Sequence, residues 1–176
     1  MTIEAYADTI VPGAKRSADD RVVAGAADGA GAVEAGAVEL LEQPGGGLAD
    51  ALDALAFSLN EHAQAYAEEC GLTLAADLPP FVALPFADRT ALVLRLTTPG
   101  HPEHQMWVGL ALFSNMAYDS AAHMHTADAL RGGHPGLRDL GYFGPRDDGL
   151  WGFPRYSYGR PLAPLHPATT ATGSPA

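Results

Sequence analysis

The sequence predicts an all-α protein of about five helices in one bundle around a buried central helix, with a long irregular C-terminal arm. Several segments place apolar residues every three or four positions, and no series of segments alternates as β-strands do. Prolines and glycines are concentrated after residue 131, where regular elements are hard to sustain. We therefore expect a helical domain at 1–131 and an extended arm at 132–176, packed on the domain or on a partner.

Three helices are predicted in the first 70 residues. Thr2 can cap the first, which ends at Pro12-Gly13, and the second covers Ala32–Glu42. The third, Leu48–Cys70, is the clearest because its stripe residues recur at helical spacing: Leu48, Leu52, Leu55, Leu59, His62 and Tyr66. Cys70, the single cysteine, excludes an internal disulfide, and we interpret it as a small buried residue.

Two further helices complete the predicted bundle. The fourth covers Phe86–Thr98, with Arg89 and Arg95 available to solvent or partners. The fifth begins at Pro102, a residue common at the first helical position, and continues to about Met124. Its middle is apolar on all sides, so we expect this helix to be the buried centre.

The charge and hydropathy of the chain exclude several classes of partner. The net charge is −11, which disfavours binding to nucleic acid and to anionic membrane surfaces. No apolar run reaches the roughly 18 to 20 residues that span a bilayer. Glu4 and Asp8 stand where a signal peptide would carry positive charge, so we expect a cytoplasmic protein.

The predicted arm combines many chain breakers with many aromatic residues. It holds 7 of the 14 prolines and 9 of the 20 glycines, and it carries a net charge of +1 against −12 for residues 1–131. Such a segment gains stability by laying its rings on a surface, either that of its own helices or that of another subunit. The partner-binding residues that we predict are Trp151, Phe153, Tyr156 and Tyr158.

Three residues are candidates for chemistry. His62 lies on the apolar stripe of the third helix, either hydrogen-bonded to a neighbouring carbonyl or acting as a proton acceptor in a pocket. Asp119 and His123 are four residues apart and could share a helix face as metal ligands do. No metal-binding signature, dinucleotide fingerprint or phosphate loop is present, so we expect solvated or capping histidines near helix ends and no cofactor or metal in this chain.

Two stretches resemble the gluconate 2-dehydrogenase subunit 3 family. Ala5-Tyr-Ala-Asp-Thr-Ile-Val-Pro-Gly13 is similar to the N-terminal helix and turn of that family. The helix ending at Phe113–Tyr118, followed by Leu137-Arg-Asp-Leu-Gly-Tyr-Phe-Gly-Pro145, resembles its late helix and leucine–glycine–tyrosine segment. The resemblance implies a small subunit that accompanies a flavoprotein of the glucose–methanol–choline class, in which the large subunit holds FAD and the catalytic histidine.

The end of the chain resembles small actinobacterial proteins found with flavin oxidoreductases in aromatic polyketide pathways, through Asp148–Gly159 and Ala168–Ala176. The leading hypothesis is thus a non-catalytic small subunit or stabilising partner of an FAD-dependent alcohol oxidoreductase in such a pathway. One alternative is a small stand-alone enzyme, metal-dependent or cofactor-free, in which His62, Asp119 and His123 converge on an aromatic substrate. Another is a homo-oligomeric structural protein.

Overall fold

A computed structural model describes residues 1–142. Within this range the chain is helical and contains no β-strand, which confirms the predicted all-α class. The helices are α1 (Thr2–Ile10), α2 (Ala37–Leu41), α3 (Leu52–Cys70), α4 (Pro80–Ala83), α5 (Phe86–Leu96), α6 (His104–Ser120), α7 (Thr126–Arg131) and α8 (Pro135–Asp139). None of these helices is long and apolar enough to cross a membrane.

The main hydrophobic core lies between α1, α3, α4, α5 and α6. Each of these helices contributes at least one large buried side chain, and the set includes Tyr6, Leu55, Leu59, Phe81, Leu92, Leu96, Trp107 and Leu110. Burying one such side chain stabilises the fold by about 1.5–3 kcal/mol. The stripe predicted for α3 is confirmed, because Leu55, Leu59 and Tyr66 all point into this core.

The structure corrects the description of α6, which was expected to be buried on all sides. Trp107, Leu110 and Ala117 are buried, whereas Leu112 is 55% exposed and Val108 is also exposed. The helix packs against α1, α2, α5 and α8 through one face, so an apolar composition did not require burial of the whole surface. It also begins at His104 and not at Pro102, which lies in the preceding turn.

Other helix boundaries also differ from those predicted, since α3 begins at Leu52 and not at Leu48, α5 ends at Leu96 and α6 ends at Ser120. The segment proposed as a helix from Ala32 is helical only from Ala37, because Gly36 adopts a left-handed conformation with φ of 86°. Residues after 131 were expected to be irregular, yet α8 occupies Pro135–Asp139, with the proline in its first turn. Residues 1–142 accordingly form one compact unit, and the remainder of the predicted arm lies outside the described residues.

Arg89 of α5 was predicted to face solvent or partners, and this is wrong. Its side chain is buried and its guanidinium donates to the carbonyl oxygens of Leu84 (3.1 Å), Val22 (2.7 Å) and Val82 (2.5 Å). The guanidinium therefore joins the loop after α1 to α4 and α5. Burial lowers the pKa of Arg89, while the nearby Asp8 acts in the opposite direction.

The loop after α1 is fixed by a second buried charge. The two carboxylate oxygens of Asp8 accept hydrogen bonds from the backbone N–H groups of Gly13 (3.1 Å) and Ala24 (2.8 Å). Burial raises the pKa of Asp8, and these two hydrogen bonds oppose that effect. The Pro-Gly turn predicted at the end of α1 is thus held by the side chain of Asp8, which lies a few residues before it in the chain.

Candidate functional site

His62 lies in a polar cluster where α3 meets the start of α6. Its Nε2 is 2.7 Å from Oε2 of Glu103, and the indole N–H of Trp107 donates to the same oxygen at 2.9 Å. The hydrogen bond with His62 is the larger cause and the one from Trp107 the next, and together they hold the pKa of Glu103 below its usual value. Among the described residues, the partner of His62 is therefore a carboxylate and not the expected carbonyl of a neighbouring helix.

Sequence reasoning missed Glu103 because the residue is 41 positions from His62 and precedes α6 by one position. The surrounding rings fix the pair. The His62 ring is edge-on to Trp107 and His101, each with centroids 5.9 Å away, and the hydroxyl of Tyr6 donates to the Trp107 carbonyl at 2.7 Å. In neutral His62 the proton on Nε2 binds Glu103, which leaves Nδ1 as the proton-accepting nitrogen.

The other two candidates, Asp119 and His123, are at the far end of α6. Asp119 accepts a hydrogen bond from Asn115 at 2.8 Å on the exposed face of the helix. The helix ends at Ser120 and Ala121 is left-handed, with φ of 49°, so His123 does not continue the helical register of Asp119. A helix of 17 residues is about 25 Å long, and His62 and His123 therefore belong to separate sites.

Three histidines accept backbone N–H groups at the beginnings of helices. Nδ1 of His101 accepts from Glu103 (3.1 Å), Nδ1 of His125 from Ala127 (3.3 Å), and Nδ1 of His134 from Leu137 (3.3 Å). His125 and His134 are the N-cap residues of α7 and α8, so the prediction of capping histidines near helix ends is confirmed for these two, whereas His101 lies in the turn before α6, which has no side-chain cap. Residues 1–142 contain no group of three or more histidine, cysteine, aspartate or glutamate side chains that could hold a metal ion.

A cavity of about 280 Å³ lies beside His123 and His134. Glu34 and Glu39 line it together with the two imidazoles, whose ring centroids are 5.7 Å apart. Burial and the neighbouring His134 lower the pKa of His123, and Glu39 acts in the opposite direction. Two carboxylates and two imidazoles therefore form part of the wall of this cavity.

The outer face of α3 carries an open depression of about 430 Å³, which we call the Phe57 surface. Phe57 is 67% exposed, and the other lining residues are Asn60, Glu61, Gln64, Ala65, Glu68 and Pro80. Asn60 also accepts a hydrogen bond from the backbone of Phe81 at 3.1 Å, which joins the floor of the depression to α4. An exposed aromatic ring flanked by carboxylates can bind a partner with apolar and basic side chains.

The residues predicted to anchor a partner, Trp151, Phe153, Tyr156 and Tyr158, lie outside the described residues and stay predictions.

Comparison with known proteins identifies one family. A family model matches residues 1–176, which is the whole chain. No curated protein and no solved structure matches the chain. The chain belongs to the family of unknown function DUF5987.

Proposed function

We propose that this chain is a non-catalytic small subunit or stabilising partner of an FAD-dependent alcohol oxidoreductase of the glucose–methanol–choline class. The FAD and the catalytic residues belong to the flavoprotein in this proposal, and the complex acts in the cytoplasm on an aromatic polyketide intermediate. The observation that carries the proposal is the Phe57 surface, where a large ring remains 67% exposed although Phe81 and Trp107 of the same unit are fully buried. When a partner covers this ring, the complex gains the free energy of burying apolar surface that folding of the chain leaves exposed.

The two motifs that resemble the oxidoreductase subunit family have structural roles in residues 1–142. Asp8 of the first motif binds two backbone N–H groups at the end of α1. In the second, the Tyr118 hydroxyl donates to Asp139 at 3.3 Å, and Gly136, directly before Leu137 of that motif, approaches the carbonyl of Tyr118. Motifs that maintain a scaffold suit a subunit whose task is to present a surface.

Charge indicates the kind of partner surface that fits. Residues 1–131 carry a net charge of −12, and Glu61 and Glu68 border the Phe57 surface. A flavoprotein face that receives Phe57 would therefore have an apolar depression with lysine or arginine at its rim. Complementary charge accelerates association and aligns the partners, whereas the buried ring supplies most of the binding energy.

The proposal is tested by co-expressing the chain with the glucose–methanol–choline flavoproteins of its own organism and measuring co-purification and dissociation constants. We expect a stable complex that retains FAD, and we expect Phe57→Ser to weaken it by at least about tenfold. Leu94→Ser on α5 is the matched control, because Leu94 is 62% exposed on another helix. Absence of any complex would refute the function, whereas equal effects of the two substitutions would refute only the assignment of the surface.

The predicted anchors can be tested in the same assay with the full-length chain. Trp151→Ala combined with Tyr156→Ala should also weaken the complex if those rings bind the flavoprotein. Unchanged binding would show that they do not contribute to this interface.

The second candidate function is a cofactor-free enzyme that removes a proton from an aromatic substrate. The His62–Glu103 pair favours it, because a carboxylate orients an imidazole whose side chain is 31% exposed. Asp119 and His123 are not part of this site. Turnover of an aromatic hydroxy or keto substrate by the isolated chain, abolished by His62→Gln, would favour the enzyme over the subunit.

A further inference from the structure

The inference concerns α7 and α8 and the histidines that hold them. Nε2 of His134 is 3.0 Å from the carbonyl oxygen of Ala35, while its Nδ1 accepts from the backbone N–H of Leu137 at 3.3 Å. A carbonyl oxygen can only accept and an amide N–H can only donate. His134 therefore carries its proton on Nε2 and none on Nδ1, which is one neutral tautomer.

His125 has the same requirement at the start of α7. Its Nδ1 accepts from the backbone N–H of Ala127 at 3.3 Å. A protonated imidazole has no acceptor nitrogen, and its positive charge is unfavourable beside the positive end of a helix dipole. Protonation of either histidine thus removes one helix cap.

His123 joins this segment to α2. Its ring packs against Gly36, where a Cβ would overlap with it, and Gln43 donates to its backbone carbonyl at 2.9 Å. Its Nδ1 is buried and has no hydrogen-bond partner among the described residues. Glu34 and Glu39 are the acidic groups that line the cavity beside this imidazole.

The apolar contacts of α7 and α8 are few. Their own cluster consists of Ala121, Ala129 and Leu137, with Leu130 packed beside it. Two alanines and two leucines bury less apolar area than the main core does, so the segment, which also packs against α6, depends on its polar contacts more than α3 does. Local opening of this segment is therefore less costly than opening of the main core.

We propose that α7 and α8 form an acid-sensitive latch, closed on the turn before α2 at neutral pH and opened when His134 and His125 take up protons. Because protonation breaks the bonds that close the segment, the open segment binds more protons than the closed one, and the stability of the closed form falls as the pH decreases. The side chains of Glu34 and Glu39 line the cavity beside the partly buried His123 and can attract it once it is charged.

The test is amide hydrogen exchange of the full-length protein, measured residue by residue by NMR between pH 7.5 and pH 5.0. Protection factors correct for the intrinsic pH dependence of exchange. We expect those of Leu137 and Ala127 to fall about fivefold for each cap that is lost, while that of Leu59 in the core stays constant. Constant protection of Leu137 and Ala127 over this range would overturn the proposal.

Asparagine variants separate titration from a structural role. His134→Asn keeps a capping oxygen that does not titrate, so the protection of Leu137 should lose its pH dependence. If that variant does not fold, His125→Asn provides the same test at Ala127, because His125 is exposed. His62→Gln is the control outside the segment and should leave the response intact. A full pH response in the asparagine variants would contradict the latch.

Discussion

Replacing Arg89 with methionine tests whether one buried guanidinium holds the loop after α1 to the helical core. The substitution removes the donor to the carbonyl oxygens of Val22, Val82 and Leu84 and leaves an unbranched, apolar side chain that is shorter than that of arginine. Each buried carbonyl that loses its partner costs about 1–3 kcal/mol. Part of that cost is offset because no charge must then be desolvated, so we expect a net loss of about 3–5 kcal/mol.

Urea denaturation followed by circular dichroism at pH 7 measures this loss. Arg95→Met is the matched control, since Arg95 is on the same helix, exposed, paired with Glu69 at 2.9 Å and stacked over Tyr66. We expect it to change the free energy of unfolding little, because exposed ion pairs contribute little. A loss below about 1 kcal/mol for Arg89→Met would refute the assignment of Arg89 as the main tie between loop and core.

Two other substitutions test close contacts and charge. Gly36→Ala should lower the melting temperature more than Gly47→Ala does. Both glycines have a positive φ, but only at Gly36 would the new methyl group overlap with the His123 ring. Equal effects would show that this ring moves aside freely. Arg16 holds the pKa of Asp20 well below its usual value, so stability should fall as the pH decreases below about 4, where the unfolded state takes up the proton first. Asp20→Asn should remove that part of the pH dependence, measured as urea midpoints from pH 3 to 6.

The helices that could be predicted are those whose determinants are local. The stripe of α3 extends over five turns, and its end is marked by Gly71, which adopts the left-handed conformation that closes many helices. The end of α1 was also predictable, because proline and glycine follow it directly. In both segments the neighbouring residues alone specify the structure.

The predictions were wrong where the environment of a side chain depends on residues that are distant in the sequence. The sequence of α5 places Arg89 on a helix surface, and only the loop around Val22, 67 positions away, makes that surface buried. Likewise, the partner of His62 depends on how α3 meets α6, which no local pattern specifies. The exposure of Leu112 depends on which faces of α6 the other helices cover, and composition cannot determine this.

The position of a histidine relative to the start of a helix indicates whether its side chain can cap that helix. His101-Pro102 and His134-Pro135 share a dipeptide in which proline keeps the preceding residue extended. His134 stands directly before α8, and from there its imidazole accepts the free N–H of Leu137. His101 stands three residues before α6 and accepts from Glu103, outside the helix. A histidine–proline pair therefore predicts capping where the proline is the first helical residue, and the same bond makes α8 sensitive to protonation. The consequence should be larger for α8, with its five residues, than for α6, which Trp107 and Leu110 hold in the core.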